Sequence, residues 1–117
     1  MGFEYISAEK LDNFVGNGDI IIVDLRKPVD YRKGHIRGAV NIPYNILDRK
    51  LDAVGKMKRK IETIDGFELD INKTIVFYCH RGSSSLAICV RMTRLGYNVK
   101  SVVGGISRYR GVNLVKG

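Results

Sequence analysis

The chain alternates short, β-branched apolar runs with segments in which apolar residues recur every three or four positions. Runs of the first kind, apolar on both faces, are typical of buried parallel strands, whereas the second spacing is typical of helices with one buried stripe. The predicted strands cover residues 3–6, 19–25, 39–42, 74–78 and 99–103. Strands and helices that alternate in this way form crossover units, so the pattern predicts a parallel sheet with helices on both faces.

The predicted helices lie between these strands. Ser7 is a suitable N-cap for a first helix that ends near Gly16 or Gly18, although Lys10 leaves its capping box incomplete. The others are one helical turn at 29–33 within the polar connection 26–38, a helix over 46–64, and a helix over 84–95 that is closed by Gly96.

Length and composition indicate one soluble domain that spans residues 1–117. The chain is 44% hydrophobic and 27% charged, which excludes a disordered class, and 117 residues suffice for one core but not for two. No apolar run has the length that a bilayer requires, so no membrane association is predicted. Two cysteines without an export segment give no disulfide framework, which predicts reduced thiols and a cytoplasmic location.

The net charge of +8 favours anionic partners, small oxyanions as readily as nucleic acid. The densest basic run, 56–60, falls in a predicted helix and is interpreted as a solvated face. The sequence has neither zinc-finger spacing nor the aromatic signature of RNA-binding domains. These patterns argue against a nucleic-acid partner.

The stretch "FYCHRGSSS", residues 77–85, carries the main candidate chemistry. Cys79 ends a predicted strand, and the following residues must turn the chain into the helix that begins at Ser84. A short turn relaxed by Gly82 directs successive N–H groups inward, and the helix adds its positive end, so the loop predicts an anion cradle around the Cys79 sulfur. The segments "DLR" and "GGISRYR" also lie at the carboxyl ends of predicted strands. All three segments are therefore expected at the same edge of the sheet, where ligands of open α/β sheets bind.

An anion cradle would make Cys79 a nucleophile. An ordinary cysteine thiol, with a pKa of about 8.5, is only a few per cent thiolate at neutral pH. The helix end, the N–H donors and a nearby Arg81 all favour the thiolate. The alternative is that Cys79 is a small buried residue that only ends a strand.

The residues around Cys79 allow two interpretations each. The serines at 83, 84 and 85 are helix caps or hydroxyl donors to a bound oxyanion. Arg81 is predicted to face the pocket, because its planar fork suits oxyanions, and His80 to lie at the rim or in solvent. Cys89 lies on the apolar stripe of its helix, so core packing is preferred over a role as a resolving thiol.

Three segments in this order resemble single-domain rhodaneses, the thiosulfate sulfurtransferase-type family. They are "VDLRKPVDYRKGHIRGAVNIP" from Val23 to Pro43, "CHRGSSS", and "GYNVKSVVGGISRYRG". The resemblance covers nearly the whole chain. It implies a rhodanese-like three-layer sandwich, with a mostly parallel central sheet of about five strands.

The resemblance further implies a sulfurtransferase in which Cys79 takes a sulfane sulfur from a small anionic donor such as thiosulfate and becomes a persulfide. The backbone N–H groups of His80, Arg81, Gly82, Ser83 and Ser84 would hold that persulfide. The acceptor would be cyanide or a thiol, with a thioredoxin-like protein among the candidates, and neither metal nor organic cofactor is implied.

Supporting roles also follow from the resemblance. Asp24 and Arg26 would lie beside the loop as a structural pair, together with Ser85. His35 is interpreted as a structural histidine in a turn. The family commonly has Trp shortly after the double glycine, and here Tyr109 would fill that position. Ser84 stands where two-domain thiosulfate enzymes tend to have a cation, which leaves the donor open.

Two competing functions remain open at this point. Related phosphatases and arsenate reductases carry Arg six positions after the cysteine, where this chain has Ser85, so the clamp for a phosphoryl transition state is missing. A non-catalytic or sulfur-carrier module that serves a protein partner would keep the same loop. The sequence leaves the oligomeric state undetermined as well.

Overall fold

The computed structural model of the chain describes residues 3–57, 61–62 and 68–117. Its strands are β1 Glu4–Ser7, β2 Ile20–Asp24, β3 His35–Ile36, β4 Val40–Asn41, β5 Ile61–Glu62, β6 Glu68–Leu69, β7 Thr74–Tyr78, β8 Asn98–Val103 and β9 Leu114–Val115. The α-helices are α1 Pro28–Lys33, α2 Tyr44–Met57 and α3 Ser83–Arg94, and two 3₁₀ helices cover Ala8–Asn13 and Gly105–Arg108.

Five strands form one parallel sheet in the order β1-β8-β7-β2-β4. The register pairs Asp24 with Tyr78 and Ser7 with Val103, so these strands end together. The segments that follow β2, β7 and β8 therefore leave the sheet at one edge. This common edge carries the candidate site, as the sequence predicts for an open α/β sheet.

Side chains that alternate along the central strands separate two cores. On β7, Ile75 and Phe77 face α2 and α3, together with Ile88 and Met92 of α3. Val76 and Tyr78 face the opposite side, where Leu11 of the first 3₁₀ helix packs. Both faces are covered, which confirms the predicted α/β fold with a parallel central sheet of five strands.

The segment after β1 differs from its prediction. It forms a 3₁₀ helix that ends at Asn13, not an α-helix that reaches Gly16 or Gly18, and Ser7 makes no side-chain capping bond. In a 3₁₀ helix residues three apart lie on the same side. The short helix therefore suffices to bury Ala8 and Leu11, which are three positions apart.

The prediction of one helix over 46–64 is wrong in its extent. Helix α2 begins earlier, at Tyr44, and Ile61–Glu62 is a strand paired with Glu68–Leu69. Gly55 weakens the helical preference of this stretch, and the antiparallel pairing satisfies backbone groups that a helix would otherwise pair. Ile64 and the side chains of the basic run 56–60 lie outside the described residues.

Other boundaries agree closely with the sequence. Helix α3 starts one residue before the predicted Ser84, and the chain leaves it through Gly96, whose φ of +90° suits glycine. The β3–β9 ladder, which joins His35–Ile36 to Leu114–Val115, was not predicted. Two-residue strands carry too few positions to show a period.

Candidate active site

The Cys79 sulfur lies at the base of the loop that joins β7 to α3. The side chain is only 5% exposed. Its Sγ accepts a hydrogen bond from the Gly82 N–H at 3.0 Å, and its thiol faces Ser85 Oγ at 3.8 Å. The main-chain donor therefore points at the sulfur, as a cradle for an anionic sulfur requires.

Gly82 shapes this turn. Its φ is +107°, in the region that favours glycine, and a Cβ here would lie 3.1 Å from Gly104 N. Helix α3 starts at the next residue, and the first N–H groups of a helix have no acceptor within it. The loop therefore brings a donor N–H and the positive end of α3 to Cys79. The prediction assigned this role to five amides, and the hydrogen bond observed in the described loop comes from Gly82.

The double glycine after β8 fixes the other side of the loop. The Ile106 N–H donates to Cys79 O at 2.9 Å, and the Ser107 N–H donates to His80 O at 3.1 Å. These bonds need a close approach at Gly105, where a Cβ would lie 2.6 Å from His80 O and still nearer to Cys79 O. The sequence placed "GGISRYR" near the site but did not show this role, whose signal is the adjacent pair of glycines.

Ser85 is wholly buried and anchors the loop from inside. Its Oγ donates to Gly82 O at 3.0 Å and lies 2.9 Å from Ser101 Oγ. Ser101, in the interior of β8, was not among the predicted site residues. The N-cap position of α3 belongs to Gly82, so none of the three serines is its N-cap. Ser84 lines the site and Ser83 is exposed.

Asp24 and Arg26 form a buried ion pair beside the loop, as predicted. Arg26 Nη2 lies 2.7 Å from Asp24 Oδ2 and donates to Gly34 O at 2.6 Å. Asn41 adds two hydrogen bonds, donated to the carbonyls of Asp24 and Arg26. Burial alone would lower the pKa of Arg26, but the hydrogen bonds and charge of Asp24 raise it overall. Arg26 therefore stays a cation at this edge of the sheet.

We expect Asp24→Asn to lower the free energy of unfolding by about 2–3 kcal/mol, because it leaves the Arg26 guanidinium without its charged partner. Chemical denaturation measures the effect. The control is Asp52→Asn, which removes an ion pair with Arg91 at a carboxylate side chain that is 72% exposed and should cost less than about 1 kcal/mol. Equal losses in both variants would show that the buried pair does not organise this edge.

Two adjoining depressions open at the site. The sulfur depression, of about 380 Å³, contains Cys79 and is also lined by Leu25, Arg26, Lys27, Asp30, Tyr44, His80 and Ser84. The outer depression, of about 310 Å³, is lined by Arg26, Asp30, Lys33, His80, Ile106, Tyr109 and Leu114. Arg26, Asp30 and His80 line both, so the two depressions adjoin one another and are together called the cleft. His80 is exposed and lines both depressions, as predicted for a rim residue. The prediction that Arg81 faces the pocket is wrong, because Arg81 is exposed and lies outside both linings.

A larger depression of about 560 Å³ lies beyond the ends of β1 and β8. Its lining combines Glu9 and Asp12 with Arg108 and Arg110 and contains no cysteine or histidine. The sulfur depression is therefore the candidate site for nucleophilic chemistry. Among residues 3–57, 61–62 and 68–117, no three His, Cys, Asp or Glu side chains converge as a metal site would need.

Comparison with known proteins agrees with this geometry. Residues 7–111 match the rhodanese-like domain family. The chain belongs to that family.

Solved structures share the fold of this rhodanese-like domain. A rhodanese-like domain protein from Staphylococcus aureus is 19% identical, with a TM-score of 0.73 and coverage of 98% of this chain and 99% of that one. A rhodanese-related protein from Thermoplasma volcanium is 24% identical, with a TM-score of 0.73 and coverage of 97% and 98%. At these identities the likeness shows the fold alone.

A curated relative carries a more specific name. The tRNA uridine(34) hydroxylase of Photorhabdus laumondii is 30% identical over 107 residues, which are 91% of this chain and 28% of that protein. A protein of the same name from Buchnera aphidicola is 27% identical over 106 residues, which are 31% of that protein. The rhodanese-like domain thus spans less than a third of the curated relatives that it matches.

The remaining predicted residues of the rhodanese-like domain have structural positions. His35 is buried, with its ring stacked on Tyr31 and its Nδ1 2.8 Å from Tyr31 O. Tyr109 is buried in the core, and its hydroxyl donates to Asp12, which fits the packing role expected at the position of the family's Trp. No helix in the described part of the chain has the length and apolarity needed to cross a membrane.

Cys89 is a core residue, as predicted. It is fully buried on α3, and this burial raises the pKa of its thiol to about 12. Because the thiolate is the reactive form, the Cys89 side chain is inert at neutral pH.

We therefore expect iodoacetamide at neutral pH to modify Cys79 and to leave Cys89 intact in the folded protein. Peptide mass mapping measures the modified fraction at each position. In denaturant both cysteines should react, which serves as the control. Equal labelling of both thiols in the folded protein would contradict the different environments of the two cysteines.

Proposed function

We propose that this rhodanese-like domain is a sulfurtransferase that carries sulfane sulfur as a persulfide on Cys79. The observation that carries the proposal is the 3.0 Å hydrogen bond from the Gly82 N–H to Cys79 Sγ. This sulfur lies at the base of a depression beside the start of α3. A main-chain donor of this kind stabilises a thiolate or a persulfide anion and needs no reorganisation when charge develops on sulfur.

The donor half-reaction with thiosulfate balances without an oxidant or reductant. The Cys79 thiolate attacks the outer sulfur of thiosulfate and a new S–S bond forms. The S–S bond of thiosulfate breaks, and sulfite leaves with its electron pair. Arg26 and Lys27, which line the sulfur depression, supply positive charge for such a donor.

The acceptor half-reaction regenerates the thiolate. A thiolate or cyanide acceptor attacks the outer sulfur of the Cys79 persulfide, that S–S bond breaks, and Cys79 leaves as a thiolate. The sulfur, with any proton it carries, moves to the acceptor. The loop geometry supports both steps, because the Gly82 N–H faces Sγ, which bears the negative charge of the attacking thiolate at the start of the first step and of the departing thiolate at the end of the second.

The phosphatase and arsenate reductase alternative has little support. Ser85 occupies the position of the clamping Arg, and it is fully buried in bonds to Gly82 and Ser101. A buried hydroxyl with these partners cannot bind the equatorial oxygens of a phosphoryl group as a guanidinium does.

A second candidate is a module of a larger RNA-modifying protein. The match between 91% of this chain and a tRNA uridine(34) hydroxylase favours it. Incubation of this chain and its Cys79→Ser variant with tRNA, followed by nucleoside mass spectrometry, tests this candidate. Hydroxylated uridine that depends on Cys79 would support it.

The test of the main proposal is a single-turnover measurement. Protein mixed with excess thiosulfate should release about one sulfite per Cys79, and later addition of cyanide should release thiocyanate in equal amount. A sulfur-carrier module would load in this way and then discharge only to its own partner. Sulfite release at the level of a protein-free blank, with thiosulfate and with polysulfide alike, would contradict the proposal.

A further inference from the structure

We propose that the outer depression is a docking groove for the sulfur acceptor, and that this acceptor is a protein segment with a cysteine flanked by acidic residues. The inference rests on the proposed sulfur transfer at Cys79 and names the partner class for that site. It comes from three observations about the cleft: its shape, its apolar wall and its charge.

The shape exceeds what a small donor needs. A sulfur oxyanion that reaches Cys79 needs only the sulfur depression, yet an adjoining depression of about 310 Å³ shares Arg26, Asp30 and His80 with it. An extended chain whose thiol points at Cys79 would run along this adjoining depression. Since both depressions are open to solvent, a segment can enter sideways without threading.

The wall of the outer depression is apolar. Ile106, Tyr109 and Leu114 line it, and Leu114 is 52% exposed. Gly34, at the end of α1, lies beside this wall: a Cβ there would be in ordinary contact with Leu114 Cδ2, at 3.6 Å. Exposed apolar side chains beside cations suit a peptide better than a phosphate backbone, because nucleic-acid interfaces are more polar.

The net charge around the groove is positive. The connection 26–38 holds Arg26, Lys27, Arg32, Lys33 and Arg37 against Asp30 alone. The residues between 79 and 114 that line the two depressions include no carboxylate. Asp24 offsets the charge of Arg26, and Asp30 lines both depressions. The exposed side chains of Lys27 and Lys33 leave the cleft with an excess of positive charge. Acidic residues on either side of the acceptor cysteine would complement them.

The chemical step adds no reagent to the proposed function. The acceptor cysteine thiolate attacks the outer sulfur of the Cys79 persulfide, the persulfide S–S bond breaks, and Cys79 leaves as a thiolate. The acceptor cysteine then carries the persulfide. Docking along the groove raises the local concentration of this thiolate at the buried sulfur, which is the gain over a free thiol.

Binding is tested first with probes that cannot react. Fluorescent peptides with a central serine flanked by glutamates or by lysines are titrated with the full chain, and anisotropy gives the affinity. We expect the glutamate peptide to bind at least about tenfold tighter than the lysine peptide at low salt. Equal affinity for the two peptides would overturn the inference.

Matched variants locate the binding. Lys33→Glu should weaken the glutamate peptide about fivefold. Arg94→Glu is the control: it makes the same charge change in the last turn of α3, whose 12 residues place it about 16 Å from the helix start. Likewise, Leu114→Ser should weaken binding about threefold, whereas Ile71→Ser, at a side chain 45% exposed, should not. Equal losses of peptide affinity in variant and control would overturn the assignment of the outer depression as the docking groove.

Two further measurements separate the outcomes. A single-stranded oligonucleotide that binds tighter than the glutamate peptide, with the same dependence on Lys33, would replace the protein partner by RNA and overturn the inference. With thiosulfate-loaded protein, the cysteine version of the glutamate peptide should accept sulfur faster than its lysine counterpart. Failure to form a persulfide on Cys79 would contradict the proposed function. Binding of the serine peptides does not depend on the persulfide, so it still tests the groove independently.

Discussion

Replacing Cys79 by Ser should abolish thiosulfate-dependent sulfur transfer, with a residual rate at least about 10³-fold below the wild type. A hydroxyl at this position can still accept the Gly82 N–H, but it forms no persulfide. Because the substitution is nearly isosteric, the free energy of unfolding should change by no more than about 1.5 kcal/mol. Turnover with cyanide and chemical denaturation measure the two effects.

The other thiol provides the control for this prediction. Cys89→Ala removes a fully buried side chain, so it should lower stability while the transfer rate stays near that of the wild type. Unfolding of Cys79→Ser would support the strand-ending role of Cys79 that the sequence left as the alternative. A Cys79→Ser protein that folds and still transfers sulfur would show that the chemistry lies elsewhere.

Replacing Gly105 by Ala should be the most destabilising of the single substitutions considered. The added Cβ would lie 2.6 Å from His80 O, in backbone that cannot rotate away, and the φ of +62° is unfavourable for any side chain. We expect a loss of about 4 kcal/mol in the free energy of unfolding, from overpacking and backbone strain together. The same change should displace the Cys79 carbonyl and so lower sulfur transfer in the protein that remains folded.

Gly16→Ala separates the two contributions. Gly16 has a φ of +80°, and a Cβ added there would meet nothing within 4 Å, so only backbone strain applies, at about 1–2 kcal/mol. The difference between the variants then reports the close contact between the double glycine and the loop. Equal losses would show that Gly105 does not hold the loop that carries Cys79.

The sequence predicts the sheet well because its strands are long enough to show a pattern. The runs that became β2 and β7 are apolar on both faces, and the run that became β8 is rich in valine. Each of the three lies within a residue or so of its predicted span. The spacing of apolar residues does not predict secondary structure in segments that are short or weakly patterned. The apolar stripe that continued through Ile61 resembled helix, but the backbone there pairs with β6.

In the candidate site too, the sequence predicts some features and misses others. The position of Cys79 at the end of a strand and the glycine in its turn follow from residue types in sequence order. The neighbouring Asp24–Arg26 pair was expected from the family resemblance. The contact between Ser85 and Ser101 joins residues 16 positions apart, and no local pattern indicates which serine faces which. Nor does the sequence tell that Gly105 touches the loop, because that contact depends on how β8 lies beside β7.

The most direct test of the central claim is the mass of the peptide that contains Cys79 after treatment with a sulfane donor under non-reducing conditions. If the loop holds a persulfide, that peptide should gain about 32 Da, one sulfur atom, and lose it again on addition of cyanide. The peptide that contains Cys89 should stay unchanged. No gain on Cys79 with thiosulfate, polysulfide or mercaptopyruvate, in protein whose Cys79 still alkylates, would contradict the account.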